Sequence, residues 1–201
     1  MKKLCLLLAL LLALSGCGES NPSESTDVPD NAIQTADVPE SPAPETSEVD
    51  DGETENAFPA FTTTDLEGNT VTQDVFLGKD LTVVNVWGTY CGPCINEMPE
   101  LGEWAARMPD NVQLLGIVCD WMAGDEGETL ELARDIVART GANYTSVAMC
   151  EGLAWLDYNL EGVPTTFFVN GNGEMVGEVI LGAYVDQYKT QVETLLYGNP
   201  R

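Results

Sequence analysis

The segment LTVVNVWGTYCGPC, residues 81–94, decides how this chain folds. Its first seven residues, Leu81–Trp87, form an almost unbroken apolar and β-branched run, which is typical of a strand buried on both faces. The CGPC run at residues 91–94 follows a short connection, and its proline is tolerated in the first turn of a helix. The segment therefore predicts a central strand that brings two cysteines to the start of a helix.

Strand and helix patterns alternate on both sides of this segment. Residues 112–119 form a second apolar run, and apolar side chains recur at helical spacing over residues 129–140, with Gly141 placed to end that helix. Further patterns predict strands at 61–64, 70–72, 144–150, 163–169 and 174–180, a turn at 170–173, and helices at 92–108, 153–158 and 185–196. The chain is expected to have an α/β fold, with a central sheet, helices on both faces and an N-terminal hairpin.

The CGPC run carries the chemistry. Two thiols three positions apart at a strand-to-helix junction can close a disulfide within one helical turn. Cys91 sits at the positive end of the helix dipole, where free amide N–H groups favour its thiolate, so we expect it to be the nucleophile. Cys94 would then attack the mixed disulfide that Cys91 forms with a substrate and release the reduced product.

Two other roles for the pair are a structural disulfide and half of a zinc site. A disulfide that closes so small a ring restrains the unfolded chain little, which argues against a purely structural bond. A Cys₄ zinc site would need Cys119 and Cys150, whose spacing is far from that of a zinc knuckle, and the chain has no His. The sequence therefore favours a redox pair, and we expect no metal and no other cofactor.

The first seventeen residues are typical of an export signal. Two lysines precede an apolar run of eleven residues, which is too short to span a bilayer of about 30 Å. The LSGC run at residues 14–17 resembles the bacterial lipobox, in which the cysteine becomes the lipid-bearing N-terminus. We therefore predict a lipoprotein signal peptide at residues 1–16 and a diacylglycerol anchor on Cys17, with an ordinary secretory signal as the alternative.

Residues 17–56 are predicted to be a disordered linker. Residues 18–56 contain twelve acidic side chains, no basic ones and five prolines, and their few apolar residues cannot offset the entropy of ordering. Like charges and proline keep such a segment extended, so we interpret it as a tether, with a partner-binding tail as the alternative. The folded domain is then expected to span residues 57–201.

Charge and composition exclude several classes of function. The chain has 33 acidic against 8 basic residues, a formal net charge of −25, which disfavours nucleic acid and anionic lipid headgroups as ligands of the folded part. The absence of His removes Ser-His-Asp and Cys-His hydrolases and HExxH metalloproteases. Catalysis must therefore use cysteine, carboxylate or backbone groups.

Several motifs in order resemble the TlpA/ResA-like branch of the thioredoxin superfamily. They are the runs VVNVWGTYCGPC at residues 83–94, EMP at 97–99 and GVPTTF at 162–167, and the similarity extends over the whole folded domain. The resemblance implies a thioredoxin-like fold with a central mixed sheet and an inserted β-α unit. It also implies a thiol–disulfide oxidoreductase.

The resemblance also assigns roles at the site. In that family the proline at the position of Pro164 is cis and faces the redox pair, and the backbone of the preceding residue, here Val163, binds the substrate chain. Glu97 lies one helical turn after Cys94, and the resemblance implies that its carboxyl group tunes or deprotonates the cysteines. If Glu97 is buried, its pKa should be raised toward neutrality. The alternative is a solvated Glu on the helix surface. The substrate-facing surface is expected to include Trp87, Tyr90, Gly92, Pro93 and Val163, although a tryptophan such as Trp87 is, taken alone, more often a core residue.

Cys119 and Cys150 form a second candidate pair. Each ends a predicted strand, and the helix between them makes a β-α-β unit, so neighbouring parallel strands would bring the two thiols within reach of a disulfide. Such a bond would close about thirty residues and add roughly 3–4 kcal/mol of stability. Two unpaired buried thiols, and a redox relay to the CGPC pair, remain as alternatives.

The resemblance implies a direction of electron flow. The Gly-Pro pair between the cysteines is that of thioredoxin, a reductant, and proteins of this family receive electrons from a membrane thiol donor and pass them to an oxidised client protein, such as apocytochrome c or methionine sulfoxide reductase. We expect a lipid-anchored reductant on the extracytoplasmic face of the cell membrane. A disulfide-forming oxidant on the same scaffold and a non-catalytic lipoprotein that binds a partner or metal are the alternatives.

Overall fold

A computed structural model describes residues 56–198. Within this range a two-stranded hairpin precedes a five-stranded mixed sheet, in the order β5-β4-β3-β6-β7. Strands β3, β4 and β5 are parallel, and β6 and β7 are antiparallel to their neighbours. The strands are β1 (Thr62–Thr64), β2 (Thr70–Thr72), β3 (Leu81–Trp87), β4 (Val112–Met122), β5 (Ser146–Met149), β6 (Thr165–Asn170) and β7 (Met175–Leu181). The predicted α/β fold, the hairpin and the central position of β3 are confirmed.

Helices cover both faces of the sheet, but unequally. The four helices are α1 (Gly92–Ala105), α2 (Glu128–Thr140), α3 (Trp155–Asn159) and α4 (Val185–Tyr197). Helices α1, α2 and α4 pack on one face, whereas the short α3 shares the other face with Phe58, Phe61 and Phe76 of the N-terminal part. Within residues 56–198 no helix has the length and apolarity needed to cross a membrane.

Close packing fixes the position of α1 against α2. Gly102 of α1 lies directly over the backbone of Gly141, where a β-carbon would overlap the carbonyl oxygen. Gly141 itself has φ +69° and ends α2 in the left-handed conformation that the sequence predicted. Helix α1 ends at Ala105, three residues before the predicted end, with Pro109 shortly beyond it.

The chain enters the domain beside the turn between β6 and β7. The backbone N–H of Phe58 donates to the carbonyl of Gly173 at 2.7 Å, and that of Met175 donates to the carbonyl of Asn56 at 2.8 Å. The pairing of β6 with β3 places this turn near Leu81, the first residue of β3. The entry point is therefore at the end of the sheet opposite to the CGPC run. The predictions made for residues 1–55, including the lipid site at Cys17, lie outside the described residues.

Candidate active site

The two cysteines of the CGPC run lie at the start of α1 and are joined by a disulfide. Cys91 is the N-cap of α1, and its Sγ accepts a hydrogen bond from the backbone N–H of Cys94 at 3.2 Å. Cys94 is fully buried, whereas Cys91 keeps 5 % of its exposure. Of the two cysteines only Cys91 retains any exposure to an incoming group, and the amide N–H that points at its sulfur would stabilise its thiolate.

The Val163–Pro164 peptide faces this disulfide. The bond is cis, as the family resemblance implies, and it immediately precedes β6. The carbonyl oxygen of Val163 lies 3.5 Å from Cys91 Sγ. A polypeptide bound beside Cys91 therefore meets a fixed backbone acceptor next to the sulfur it would react with.

The surface around the disulfide differs from the prediction at Trp87. Tyr90 is 71 % exposed, and Gly92 and Pro93 are also exposed, so these three residues are available to a substrate. Trp87, in contrast, is fully buried and packs with the two cysteines in the core between the sheet and α1. Its predicted contact with substrate is wrong, because the last residue of β3 still points its side chain under the helix.

Glu97 is buried one turn after Cys94. Only 6 % of the residue is exposed, and its carboxylate accepts hydrogen bonds from Asn85 Nδ2 at 2.9 Å and from the Tyr188 hydroxyl at 3.0 Å. Burial raises the pKa of Glu97 to about 7, although the two hydrogen bonds act in the opposite direction. The alternative of a solvated surface Glu is excluded, and the carboxyl group can gain or lose a proton near neutral pH.

Two further residues complete this polar cluster, and neither is among the site residues predicted from the sequence. Asn85 of β3 bridges Glu97 and Thr166, with its Nδ2 3.0 Å from the Thr166 hydroxyl. Tyr188 is fully buried on α4, and the sequence indicated only that it belongs to the apolar face of that helix. The signal that could have singled it out is its hydroxyl, because a buried tyrosine usually requires a hydrogen-bond partner.

The loop between β3 and Cys91 is held by Asp120. Its carboxylate accepts a hydrogen bond from the backbone N–H of Thr89 at 3.0 Å and another from the Thr89 hydroxyl. Asp120 lies near the end of β4, the strand paired with β3. The neighbouring strand therefore fixes the approach to the redox pair, which sequence spacing alone did not indicate.

Cys119 and Cys150 are not bonded to each other; both are free thiols. Strands β4 and β5 are neighbours, as predicted, but the register aligns Val118 with Ala148 and is irregular beyond that pair. The next aligned residues are Met122 and Met149, so a bulge in β4 separates Cys119 from the position opposite Cys150. The structural disulfide considered from the sequence is absent, and the alternative of two unpaired thiols describes the structure.

The redox-relay alternative is also disfavoured by the surroundings of Cys119. Its Sγ lies 3.7 Å from the hydroxyl of Tyr90. Burial raises the pKa of the Cys119 thiol, and the nearby Asp120 carboxylate acts in the same direction. Because the thiolate is the reactive form, this thiol is a poor nucleophile at neutral pH.

Across residues 56–198, no three His, Cys, Asp or Glu side chains are grouped so that they could hold a metal ion.

The fold and the disulfide at the start of α1 define a thioredoxin-fold thiol–disulfide oxidoreductase, and comparison with known proteins specifies its family. Residues 54–177 match the model of the AhpC/TSA family. The chain belongs to this family, among its TlpA/ResA-like thiol–disulfide oxidoreductases. The resemblance drawn from the sequence motifs is confirmed.

Similar proteins have the same class of activity. Thiol-disulfide oxidoreductase ResA of Bacillus thuringiensis (strain Al Hakam) is 31% identical over 140 residues, which are 69% of this chain and 73% of the relative. Thiol:disulfide interchange protein HelX of Rhodobacter capsulatus is 28% identical over 119 residues, 59% of this chain and 62% of that protein. The crystal structure of StoA from Bacillus subtilis has the same fold, with a TM-score of 0.53 at 21% identity, covering 69% of this chain and 99% of that one.

Proposed function

We propose that this enzyme reduces disulfides of client proteins outside the cytoplasm. In its reduced state the Cys91 thiolate attacks a client disulfide, and one client sulfur leaves as a thiolate. The Cys94 thiolate then attacks Cys91 Sγ, which releases the second client thiolate and forms the Cys91–Cys94 disulfide. Two electrons pass from the pair to the client, and a membrane thiol donor returns the pair to the dithiol. The observation that carries this proposal is one reachable sulfur with its partner buried directly behind it.

The surroundings of Cys91 suit a polypeptide client. The carbonyl of Val163 offers a backbone acceptor, and Tyr90 and Pro93 offer exposed apolar contact beside it. An open groove of about 650 Å³ begins at Pro93 and runs between α1 and the start of α4. In this proposal an extended client segment lies across Val163, while neighbouring client residues enter the groove.

Glu97 is proposed to exchange protons with the cysteine pair. A carboxyl group with a pKa of about 7 is populated in both forms at neutral pH, so it can take the proton from a cysteine thiol and return it later in the cycle. Its position one helical turn after the buried Cys94 makes that thiol the partner we assign to it.

The direction of electron flow is tested by the reduction potential of the Cys91–Cys94 pair. We expect a value near that of thioredoxin, about −270 mV, because the Gly-Pro pair between the cysteines is the same. The potential is measured by equilibrating the protein with glutathione or thioredoxin and quantifying both redox forms. A value near about −120 mV, typical of a disulfide-forming oxidant, would replace the proposed reductant with the oxidant on the same scaffold.

The location of the enzyme is proposed from residues 1–17. The short apolar run and the LSGC motif support a diacylglycerol anchor on Cys17, which would hold the domain at the extracytoplasmic face of the membrane. We expect intact-mass spectrometry of membrane fractions to find acyl groups on Cys17 and no residues before it. A Cys17→Ser variant serves as the matched control and should lose the acyl mass. Recovery of the native protein as an unacylated soluble form would contradict the anchor.

A further inference from the structure

A continuous set of hydrogen bonds joins Glu97 to the peptide that faces the disulfide. The buried Tyr188 hydroxyl lies 3.0 Å from Glu97 Oε2 and also within hydrogen-bond distance of the Gly182 carbonyl. The N–H of Gly182 donates to the carbonyl of Pro164 at 2.8 Å. Since the carbonyl of the preceding Val163 lies 3.5 Å from Cys91 Sγ, these bonds connect the carboxyl group to the backbone beside the reactive sulfur.

Tyr188 has one proton and two acceptors. Its oxygen already accepts the backbone N–H of Tyr184 at 3.2 Å, and its hydroxyl can point fully at Glu97 or at Gly182 but not at both. An ionised carboxylate is the stronger acceptor, so the hydroxyl donates to Glu97 when that residue is charged.

Protonation of Glu97 reverses this arrangement. Glu97 Oε1 faces Asn85 Nδ2, which can only donate, so in this amide orientation the acid proton resides on Oε2, which faces Tyr188. Protonated Oε2 then donates to the Tyr188 oxygen, and the Tyr188 hydroxyl turns to the Gly182 carbonyl. The Gly182 carbonyl thus accepts the Tyr188 hydroxyl as well as the Tyr184 N–H, 3.1 Å away, in one protonation state of Glu97 and keeps only the Tyr184 N–H in the other.

We propose that Tyr188 is a positioning residue that transmits the protonation state of Glu97 to the Gly182–Pro164 backbone beside Cys91. The inference rests on the proposed function, because it gives a structural consequence to the proton that Glu97 exchanges with the cysteine pair. Each gain or loss of that proton re-orients the Tyr188 hydroxyl. The segment that would hold the client therefore responds to the protonation step of the reaction.

The other ionisable side chains near Glu97 are two tyrosines and three charged residues. Burial raises the pKa of Tyr188 itself to about 12, so its hydroxyl stays protonated throughout the neutral range. Burial also raises the pKa of Tyr144, which precedes β5, above its usual value. Strands β3 and β6 contribute only the uncharged Asn85 and Thr166. The charged neighbours are Glu100 on α1, whose like charge raises the pKa of Glu97, and Asp186 and Lys189 on α4.

The test is an NMR titration of the oxidised protein without any client. Carbon-13 labelling of the glutamate side chains reports the midpoint of Glu97, identified by its absence in Glu97→Gln. We expect Tyr188→Phe to raise this midpoint by about one pH unit, because the carboxylate loses a charge-assisted hydrogen bond. Tyr144→Phe is the matched control: its buried hydroxyl has no partner within residues 56–198, and its removal should leave the midpoint unchanged.

A second measurement follows the backbone and needs no tyrosine variant. In the wild-type protein the amide resonances of Gly182 and Tyr184 should titrate with the midpoint of Glu97, and this titration should vanish in Glu97→Gln and in Tyr188→Phe. Amides that do not respond in the wild type, or a midpoint unmoved by Tyr188→Phe, would overturn the proposal. Both measurements use the disulfide form alone, so they are independent of the reduction potential and the direction of the reaction.

Discussion

Replacing Cys91 with Ser is expected to abolish thiol–disulfide exchange, lowering the rate by a factor on the order of 10³ or more. The physical reason is that a serine hydroxyl is neither ionised near neutral pH nor able to form a disulfide. Cys94 cannot take over, because it is fully buried behind Cys91. The rate is measured as the reduction of a disulfide-bonded protein by a chemical dithiol with catalytic amounts of the enzyme.

The complementary variant Cys94→Ala should stop the reaction halfway. Cys91 still attacks, but nothing resolves the mixed disulfide, so covalent complexes with clients accumulate and can be identified by mass spectrometry after non-reducing separation. Cys150→Ala is the matched control, because Cys150 is a free thiol outside the site, and it should leave the rate unchanged. Full function of Cys91→Ser in cells would support the alternative of a non-catalytic binding lipoprotein.

Replacing Glu97 with Gln is expected to slow exchange near neutral pH by about 10²-fold, the usual contribution of a positioned proton-transfer group. The amide can keep both hydrogen bonds of the protonated acid, with Asn85 and Tyr188, so the variant should fold. The pH–rate profile of the wild type should show an inflection near the Glu97 pKa of about 7, and the variant should lack it. An unchanged profile would reduce Glu97 to a buried structural residue.

Although Glu97→Gln should slow the reaction, we expect it to increase the free energy of unfolding above neutral pH. Glu97 ionises near pH 7 in the folded protein and near 4.5 in the unfolded chain, so the unfolded state loses the proton first as the pH rises. The contribution of the protonated Glu97 carboxyl group to the free energy of unfolding is complete below pH 4.5 and is lost as the pH rises through 7. Glu97→Gln should therefore match the wild type at low pH and be more stable above neutrality, by roughly 3 kcal/mol.

Urea unfolding at about pH 4, below the ordinary pKa of 4.5, and at about pH 8 measures this difference. The comparison needs no client and no reduction step, so it tests the burial of the carboxyl group independently of catalysis. Glu103→Gln is the matched control, because Glu103 lies on the same helix with an exposed side chain and is not among the groups that shift the pKa of Glu97. An equal gain at both pH values would contradict the raised pKa of Glu97.

The sequence predicts the redox centre well because its determinants are local. The buried strand, the N-cap cysteine and the proline of the first turn are adjacent in the chain, and each has a known effect on backbone conformation. The cis bond at Pro164 came from the family resemblance, since local sequence does not indicate that this proline faces Cys91. The location of the site could therefore be stated before the structure.

The rest of the site depends on contacts between distant segments. Tyr188 is 91 residues from Glu97, and its helical periodicity shows only that it is buried. The absence of a disulfide between Cys119 and Cys150 shows a related limit, because β4 and β5 are neighbours but their pairing is irregular beyond Val118. A bulge in β4 decides which side chains meet here, and hydrophobic patterning does not reveal such a bulge.

The entry of the chain beside the β6–β7 turn has a consequence for access. A polypeptide attached upstream of Asn56 joins the domain at the far pole from Cys91. An attachment through the N-terminal segment, whether to a resin, a fusion partner or a lipid, therefore reaches the domain at the pole opposite to Cys91. The connection at Asn56 therefore does not border the surface around Cys91.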